Sequence, residues 1–130
     1  YKLSGVSSGD HAGWSVQGAG DVNGDGLDDL LIAAPHESTM ANDAGMVYLM
    51  PGQVDSGSYY RYLDNARGIF SGERDYDSAG YTMAGPIDLN GDGLMDLVFS
   101  ALTDRESPSS QQEFLRWTGE IYIVYGERKP

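Results

Sequence analysis

The sequence contains no cysteine, which excludes a disulfide framework and a thiolate-held zinc site. Basic residues are scarce as well: eight Lys and Arg stand against twenty Asp and Glu, for a formal charge of −12. Such a chain repels phosphate backbones and anionic lipid surfaces, so no nucleic-acid partner is expected, and cations are the expected small ones. Long apolar runs are missing too. A run such as Leu30 to Ala34 falls far short of the roughly 20 residues that cross a bilayer as a helix, so no membrane insertion is expected. Tyr1-Lys2-Leu3 does not read as a signal peptide. What the chain does have is eighteen glycines and nine tyrosines among 130 residues, with 40% hydrophobic content. That balance describes a loop-rich, all-β chain that folds, rather than a helical bundle or a disordered segment.

The chain is an internal duplication. Sliding it along itself brings Ala12-Gly13-Trp14 onto Ala79-Gly80-Tyr81 and Asp21-Val22-Asn23-Gly24-Asp25-Gly26-Leu27 onto Asp88-Leu89-Asn90-Gly91-Asp92-Gly93-Leu94. Ser4-Gly5 falls on Ser71-Gly72 in the same register. The register then slips, so that Gly45-Met46-Val47-Tyr48-Leu49 meets Gly119-Glu120-Ile121-Tyr122-Ile123, which places an insertion in the polar stretch Thr103 to Trp117. Each unit holds short runs of strand composition between turn residues, and none has a 3.6-residue apolar period. The expected strands are Gly13–Gly20, Asp29–Ala34, Met46–Met50, Tyr59–Phe70, Gly80–Ile87, Asp96–Ala101 and Gly119–Tyr125, with Tyr1–Gly5 resembling the end of the fourth.

The chemistry lies in the repeated spacing Asp21-x-Asn23-x-Asp25-Gly26-Leu27-x-Asp29 and Asp88-x-Asn90-x-Asp92-Gly93-Leu94-x-Asp96. Hard side-chain oxygens at positions 1, 3, 5 and 9, with the position 7 carbonyls of Leu27 and Leu94, suit Ca²⁺, which takes six to eight oxygens at about 2.3–2.6 Å. Glycine at position 6 permits the turn that gathers early and late ligands, and Asn at position 3 limits carboxylate repulsion. Mg²⁺ fits less well because it demands shorter bonds in a near-octahedral arrangement. An EF-hand loop begins the same way but needs a carboxylate at position 12, where this chain has Ile32 and Phe99. The segment after each loop has strand composition, so two calcium ions per chain are expected in β-hairpins. The competing reading of either loop alone is an ordinary solvated turn.

Gly13-Trp14-Ser15-Val16, the loop from Gly20 to Leu30, Ala33-Ala34-Pro35 and Gly45-Met46-Val47-Tyr48 resemble the FG-GAP repeats of integrin α-subunit β-propellers. The second copy departs from the pattern at Tyr81, at Leu102 and at Pro86-Ile87, while keeping every metal ligand. The resemblance implies an all-β fold of two four-stranded antiparallel propeller blades, with the calcium loop joining the first two strands of each. Residues 1–12 would be an outer, closing strand and its connection, 13–71 the first blade, and 72–130 a second blade without its own fourth strand. Closed propellers have about four to eight blades, because a blade buries both faces against neighbours. Two blades alone would leave Trp14, Val16, Ile32, Val47, Tyr48, Ile121 and Ile123 bare, so self-association into a ring of three or four chains is expected. The alternative is that the remaining blades belong to a longer propeller.

Signals for catalysis are thin, and the chain is expected not to be an enzyme. Gly13-Trp14-Ser15-Val16-Gln17 lacks the last glycine of a nucleophile elbow. His11 and His36 face Ser78 and Thr103 in the other copy and read as solvated loop histidines. Asp10 and Asp77 read as turn residues, and Trp14 and Tyr81 as packing between blades, with sugar stacking the minority reading. The expected function is a calcium-stabilised adhesion or protein-recognition module acting at the cell surface or in the extracellular space, where millimolar calcium fills such sites. The alternatives are a carbohydrate-binding module and a scaffold part of a secreted lyase or lipase.

Overall fold

The computed structural model describes residues 2–52, 60–102 and 119–127. Their regular structure is almost entirely extended: β1 (Lys2–Ser4), β2 (Ser15–Gly20), β3 (Asp29–Ala34), β4 (Met46–Met50), β5 (Tyr60–Tyr62), β6 (Gly68–Ser71), β7 (Met83–Ile87), β8 (Asp96–Ala101) and β9 (Glu120–Val124). One antiparallel sheet has the order β2-β3-β4-β6 and another the order β7-β8-β9. The registers repeat: Val16 faces Ile32 and Ile32 faces Tyr48 in the first sheet, and Met83 faces Phe99 and Phe99 faces Tyr122 in the second. Each inner strand carries an irregularity just before its acidic loop, between Gly18 and Gly20 in β2 and between Ala84 and Ile87 in β7. Such bulges bend a strand and re-aim the residues beyond it.

The two sheets pack face to face, and the side-chain alternation of strands explains how. Leu31, Ala33, Val47 and Leu49 of the first sheet meet Leu97 and Phe99 of the second, with Val22, Phe70, Tyr122 and Val124 closing the layer. The Phe99 ring stacks on Tyr122 at 5.2 Å and lies 5.7 Å from Phe70. Gly80 lets the second unit approach this closely, since a Cβ there would stand 2.6 Å from both Ala33 Cβ and Val47 Cγ2.

Main-chain bonds then stitch the connection between units onto the first sheet's outer loop. Tyr76, Ser78 and Ala79 donate their N–H groups to the carbonyls of Asn42, Asp43 and Ala44, at 2.7, 3.0 and 2.9 Å. At the inner strands, Gln17 Nε2 donates to the Gly85 carbonyl at 2.9 Å.

Three sequence expectations need correction. The single strand expected over Tyr59–Phe70 is broken: a 3₁₀ turn at Leu63–Asn65 buries Leu63 under the first sheet, and the fourth strand of that sheet is only β6. Tyr59 itself, like the Thr103–Trp117 insertion, lies outside the described residues. The amino-terminal strand lies parallel to β5, with Leu3 packed on the outer face of the first sheet, and among the described residues no fourth strand pairs with β9.

The expected bare surface is also smaller. Ile32 and Tyr48 are covered by that outer layer and Val47 by the second sheet, whereas Trp14, Val16, Ile121 and Ile123 are half or more exposed. The first sheet is therefore covered on both faces and the second on one.

Candidate metal centre

Each acidic loop joins the first two strands of its sheet, so both emerge at the same end of their hairpins. In the first, the Asp21 carboxylate gathers the loop's own main chain: Oδ1 accepts from Gly24 N at 2.7 Å and Asp25 N at 3.0 Å, and Oδ2 accepts from Gly26 N at 2.8 Å. Gly26 takes φ +87°, a conformation that side-chain-bearing residues rarely adopt. Asp25 Oδ1 in turn accepts from Leu27 N at 2.9 Å. These amides, Gly26 foremost, hold the Asp21 carboxyl below its ordinary range against a smaller opposing effect of burial, so it stays ionised.

The second loop repeats this. Asp88 accepts from Gly91, Asp92 and Gly93 at 2.7, 3.2 and 2.9 Å, and Asp92 Oδ1 accepts from Leu94 N at 2.8 Å. The bonds that positions 1, 5 and 6 make with the loop's own main chain thus match in both copies.

Position 9 does something the spacing did not foretell. Asp29 and Asp96 are almost wholly buried and turned toward the sheet. Asp29 accepts from Val22 N at 3.2 Å and from Gly52 N at 2.8 Å, and Asp96 accepts from Leu89 N at 2.7 Å and from Gly126 N at 2.9 Å. Each carboxylate therefore fastens its loop to the chain just beyond the third strand. Only glycine fits there: a Cβ at Gly52 would stand 2.3 Å from the Asp28 carbonyl, and one at Gly126 would stand 2.6 Å from that of Met95. The recurrence of Gly52 as Gly126 was the available sequence signal, and sequence reasoning passed over it.

Position 3 distinguishes the copies. Asn23 is buried and its Nδ2 donates to both oxygens of Asp29, at 3.3 and 3.2 Å. Asn90 is exposed, and its partner is Asp92: Nδ2 donates to Oδ2 at 2.8 Å, while Oδ1 accepts from Asp92 N at 3.0 Å.

The donor set is chemically suited to a hard cation: ionised carboxylates, an amide oxygen and main-chain carbonyls. Among the described residues, however, no three acidic or histidine side chains converge as a metal cluster. The inward turn of Asp29 and Asp96 accounts for this, because their oxygens are engaged by amides. A carboxylate has about four lone-pair sites, so Asp96, with two amide donors, keeps acceptor capacity for an ion, whereas at Asp29 the amides of Val22 and Gly52 and the Asn23 side chain occupy all four, and Asn23 would have to turn away for an ion to reach it.

The opposite end of the sheets carries the other polar residues. Asp10 Oδ2 accepts from Ser7 N at 2.8 Å, and Asp77 Oδ2 accepts from both Glu73 N and Arg74 N at 2.9 Å, so both act as turn-makers. Asp10, His36, Glu37 and Asp43 line an open cleft of about 460 Å³. The His11 and His36 rings meet edge to face at 4.8 Å, and His36 Nδ1 lies 3.6 Å from Asp43 Oδ1. Trp14 packs on Tyr81 across the two units at 5.8 Å while staying about half exposed. Beneath the cleft, burial together with the charges of Glu37, Asp10 and Asp64 pushes the Tyr48 phenol up to about 12. Tyr122 is raised to about 12 as well, by burial first and then by its bond to Glu120.

Comparison with known proteins fits this geometry. Residues 12–50 match the FG-GAP repeat family. The chain is 35% identical over 121 residues to a phosphatidylinositol-glycan-specific phospholipase D of Bos taurus, covering 90% of this chain and 13% of that protein. It is 30% identical over 131 residues to integrin alpha-PS2 of Drosophila melanogaster, covering 97% of this chain and 8% of that protein. With integrin alpha-5 of Xenopus laevis it shares 32% over 108 residues, 78% of this chain and 9% of that protein. The chain thus spans about an eighth or less of the length of these relatives. The matched segment, the duplicated loop and the order of the strands together make this chain an FG-GAP repeat of the integrin-α-like kind.

Proposed function

We propose that this chain is a pair of β-propeller blades whose two acidic loops each take one structural Ca²⁺, and that the module serves adhesion or protein recognition outside the cell. The observation that carries the reading is the repeated hard-oxygen loop, in which Asp21 and Asp88 are already ordered by three amides each. Asp21, Asn23, Asp25, the Leu27 carbonyl and Asp29 would hold one ion, and Asp88, Asn90, Asp92, the Leu94 carbonyl and Asp96 the other. A bound ion would offset two of the three carboxylate charges in each loop. Integrin α relatives that match across most of this chain support placing it at the cell surface or in the extracellular space. Among the described residues no helix is long and apolar enough to cross a membrane.

The bare outer face of β7-β8-β9, where Ile121, Ile123 and Tyr125 are exposed, calls for a neighbouring blade. That neighbour is a copy of this chain in a ring of three or four, or a further blade of a longer propeller. A protein ligand would meet the end opposite the calcium loops. Two other readings each have an observation behind them. The half-exposed Trp14–Tyr81 pair favours a glycan ligand, and the phospholipase D relatives favour a non-catalytic scaffold beside a secreted lipase.

Equilibrium dialysis with isotopic calcium tests the main reading. Two ions per chain are expected, falling to one in Asp25→Ala and to one in Asp92→Ala. Stoichiometry below one in the unaltered chain would overturn it.

A further inference from the structure

We infer that Asn90-Gly91, in the second acidic loop, is a site of spontaneous deamidation, and that the same dipeptide in the first loop, Asn23-Gly24, is shielded from it. In this reaction the main-chain nitrogen after an asparagine attacks the side-chain Cγ. A new N–Cγ bond closes a five-membered succinimide, the Cγ–Nδ2 bond breaks, and the departing NH₂ takes up the proton of the main-chain N–H to leave as ammonia. Water then opens the ring to aspartate or isoaspartate. The balance is one water in and one ammonia out, with no oxidant or reductant. A following glycine favours the attack because no side chain crowds its nitrogen.

The second loop places a base, a polarising donor and water beside the reacting groups. The Asp88 carboxylate accepts the Gly91 N–H at 2.7 Å, in position to draw off the proton as the nitrogen attacks. The Asp92 N–H donates to Asn90 Oδ1 at 3.0 Å, which polarises the amide carbonyl and stabilises the negative charge that collects on that oxygen. The Asn90 Nδ2 bond to Asp92 Oδ2, at 2.8 Å, is solvent-exposed and exchanges readily with water. Asn90 and Gly91 both face solvent, so hydrolytic water has access.

The first loop has the same base, since Asp21 Oδ1 accepts the Gly24 N–H at 2.7 Å. There the amide is buried and its nitrogen is held by both oxygens of Asp29, so reaction waits on local opening. The cause of the difference is the neighbouring sheet. Val22, next to Asn23, is part of the layer between the sheets, whereas the equivalent Leu89 is 48% exposed. Deamidation would add a fourth carboxylate to the second loop, or, as isoaspartate, lengthen its main chain by one carbon at the turn.

The test ages the whole chain in chelator at mildly alkaline pH and follows the two loop peptides by mass. Each event adds about one mass unit, and isomerisation at Asp25-Gly26 or Asp92-Gly93 adds none, so it does not interfere. The Asn90 peptide should convert at least about tenfold faster than the Asn23 peptide. Equal rates would overturn the inference. So would an unchanged Asn90 over a period in which a short unfolded peptide of the same loop sequence converts. Asp88→Asn should slow conversion at Asn90 and leave the Asn23 peptide of the same sample unaffected; an unaltered Asn90 rate would remove the carboxylate from the mechanism. The selectivity between loops does not rest on the calcium reading. Saturating calcium should slow the Asn90 reaction by engaging Asp88 and the Asn90 oxygen. If it does not, while the difference between loops persists, the deamidation site stands and the calcium reading is the one that fails.

Discussion

The two acidic loops carry the same ligand residue types at the same spacing and close in different ways. Positions 1, 5 and 9 form matching bonds in both, because their partners are main-chain amides that the loop and its own third strand provide. Position 3 does not, because its surroundings come from the neighbouring sheet. The first loop lies beside the second unit, with Val22 buried and Asn23 turned inward to Asp29; in the second loop Leu89 is exposed and Asn90 turns outward to Asp92. A residue shared by both copies can therefore be set by its own hairpin or by what the next blade places beside it.

The strongest way to break this comparison is to empty both loops. If calcium fills them at about a hundred times its dissociation constant, each site contributes about 2.7 kcal/mol, so chelation of both should lower the melting temperature by roughly 10–30 °C. An unchanged melt after verified calcium removal would leave the loops as turns held by amides alone.

Next in size are the position 9 carboxylates. Asp29→Ala leaves the amides of Val22 and Gly52 and the Asn23 side chain without their acceptor, for an expected loss of about 2–4 kcal/mol in denaturant unfolding. Asp96→Ala strands only the amides of Leu89 and Gly126 and should cost about 1–3 kcal/mol. A larger loss at Asp96 would contradict the reading that the first loop is the better buried.

The phenols at the middle of the two third strands sharpen the comparison by pH. Tyr48 and Tyr122 are both raised from the ordinary 10 to about 12, so the folded state favours their protonated forms. Their contribution is fully present below pH 10 and is lost as pH rises from about 10 through 12. Tyrosinate absorbance should show two phenols titrating late, together with a falling melting temperature over that window. The smallest effect is expected at position 3. Asn23→Ala should cost about 1–2 kcal/mol, and Asn90→Ala no more than about 0.5 kcal/mol, in the same unfolding experiment.

Most of the two sheets was legible in the sequence because alternation and turn glycines are local signals. Asp29–Ala34, Met46–Met50 and Asp96–Ala101 form as read. The break within Tyr59–Phe70 was not legible, because Leu63 is apolar whether it points from a strand or plugs a 3₁₀ turn. The partner of Lys2–Ser4 was not legible either, since three residues of strand composition name no neighbour, and the packing of Leu3 decides it. At the loops, spacing identified the acidic residues but not which way position 9 faces. That depends on Gly52 and Gly126, distant in sequence and brought close by the third strands.

The seam between the two units is written in carbonyls and amides of Asn42, Asp43, Ala44, Tyr76, Ser78 and Ala79. Such a joint constrains its own residues, since Asp43, Tyr76 and Ser78 take positive φ and Ala44 and Ala79 are buried. New ligand chemistry on that face would therefore come from exposed neighbours such as Met40, whose side chain can change while the main-chain joint beneath stays in place.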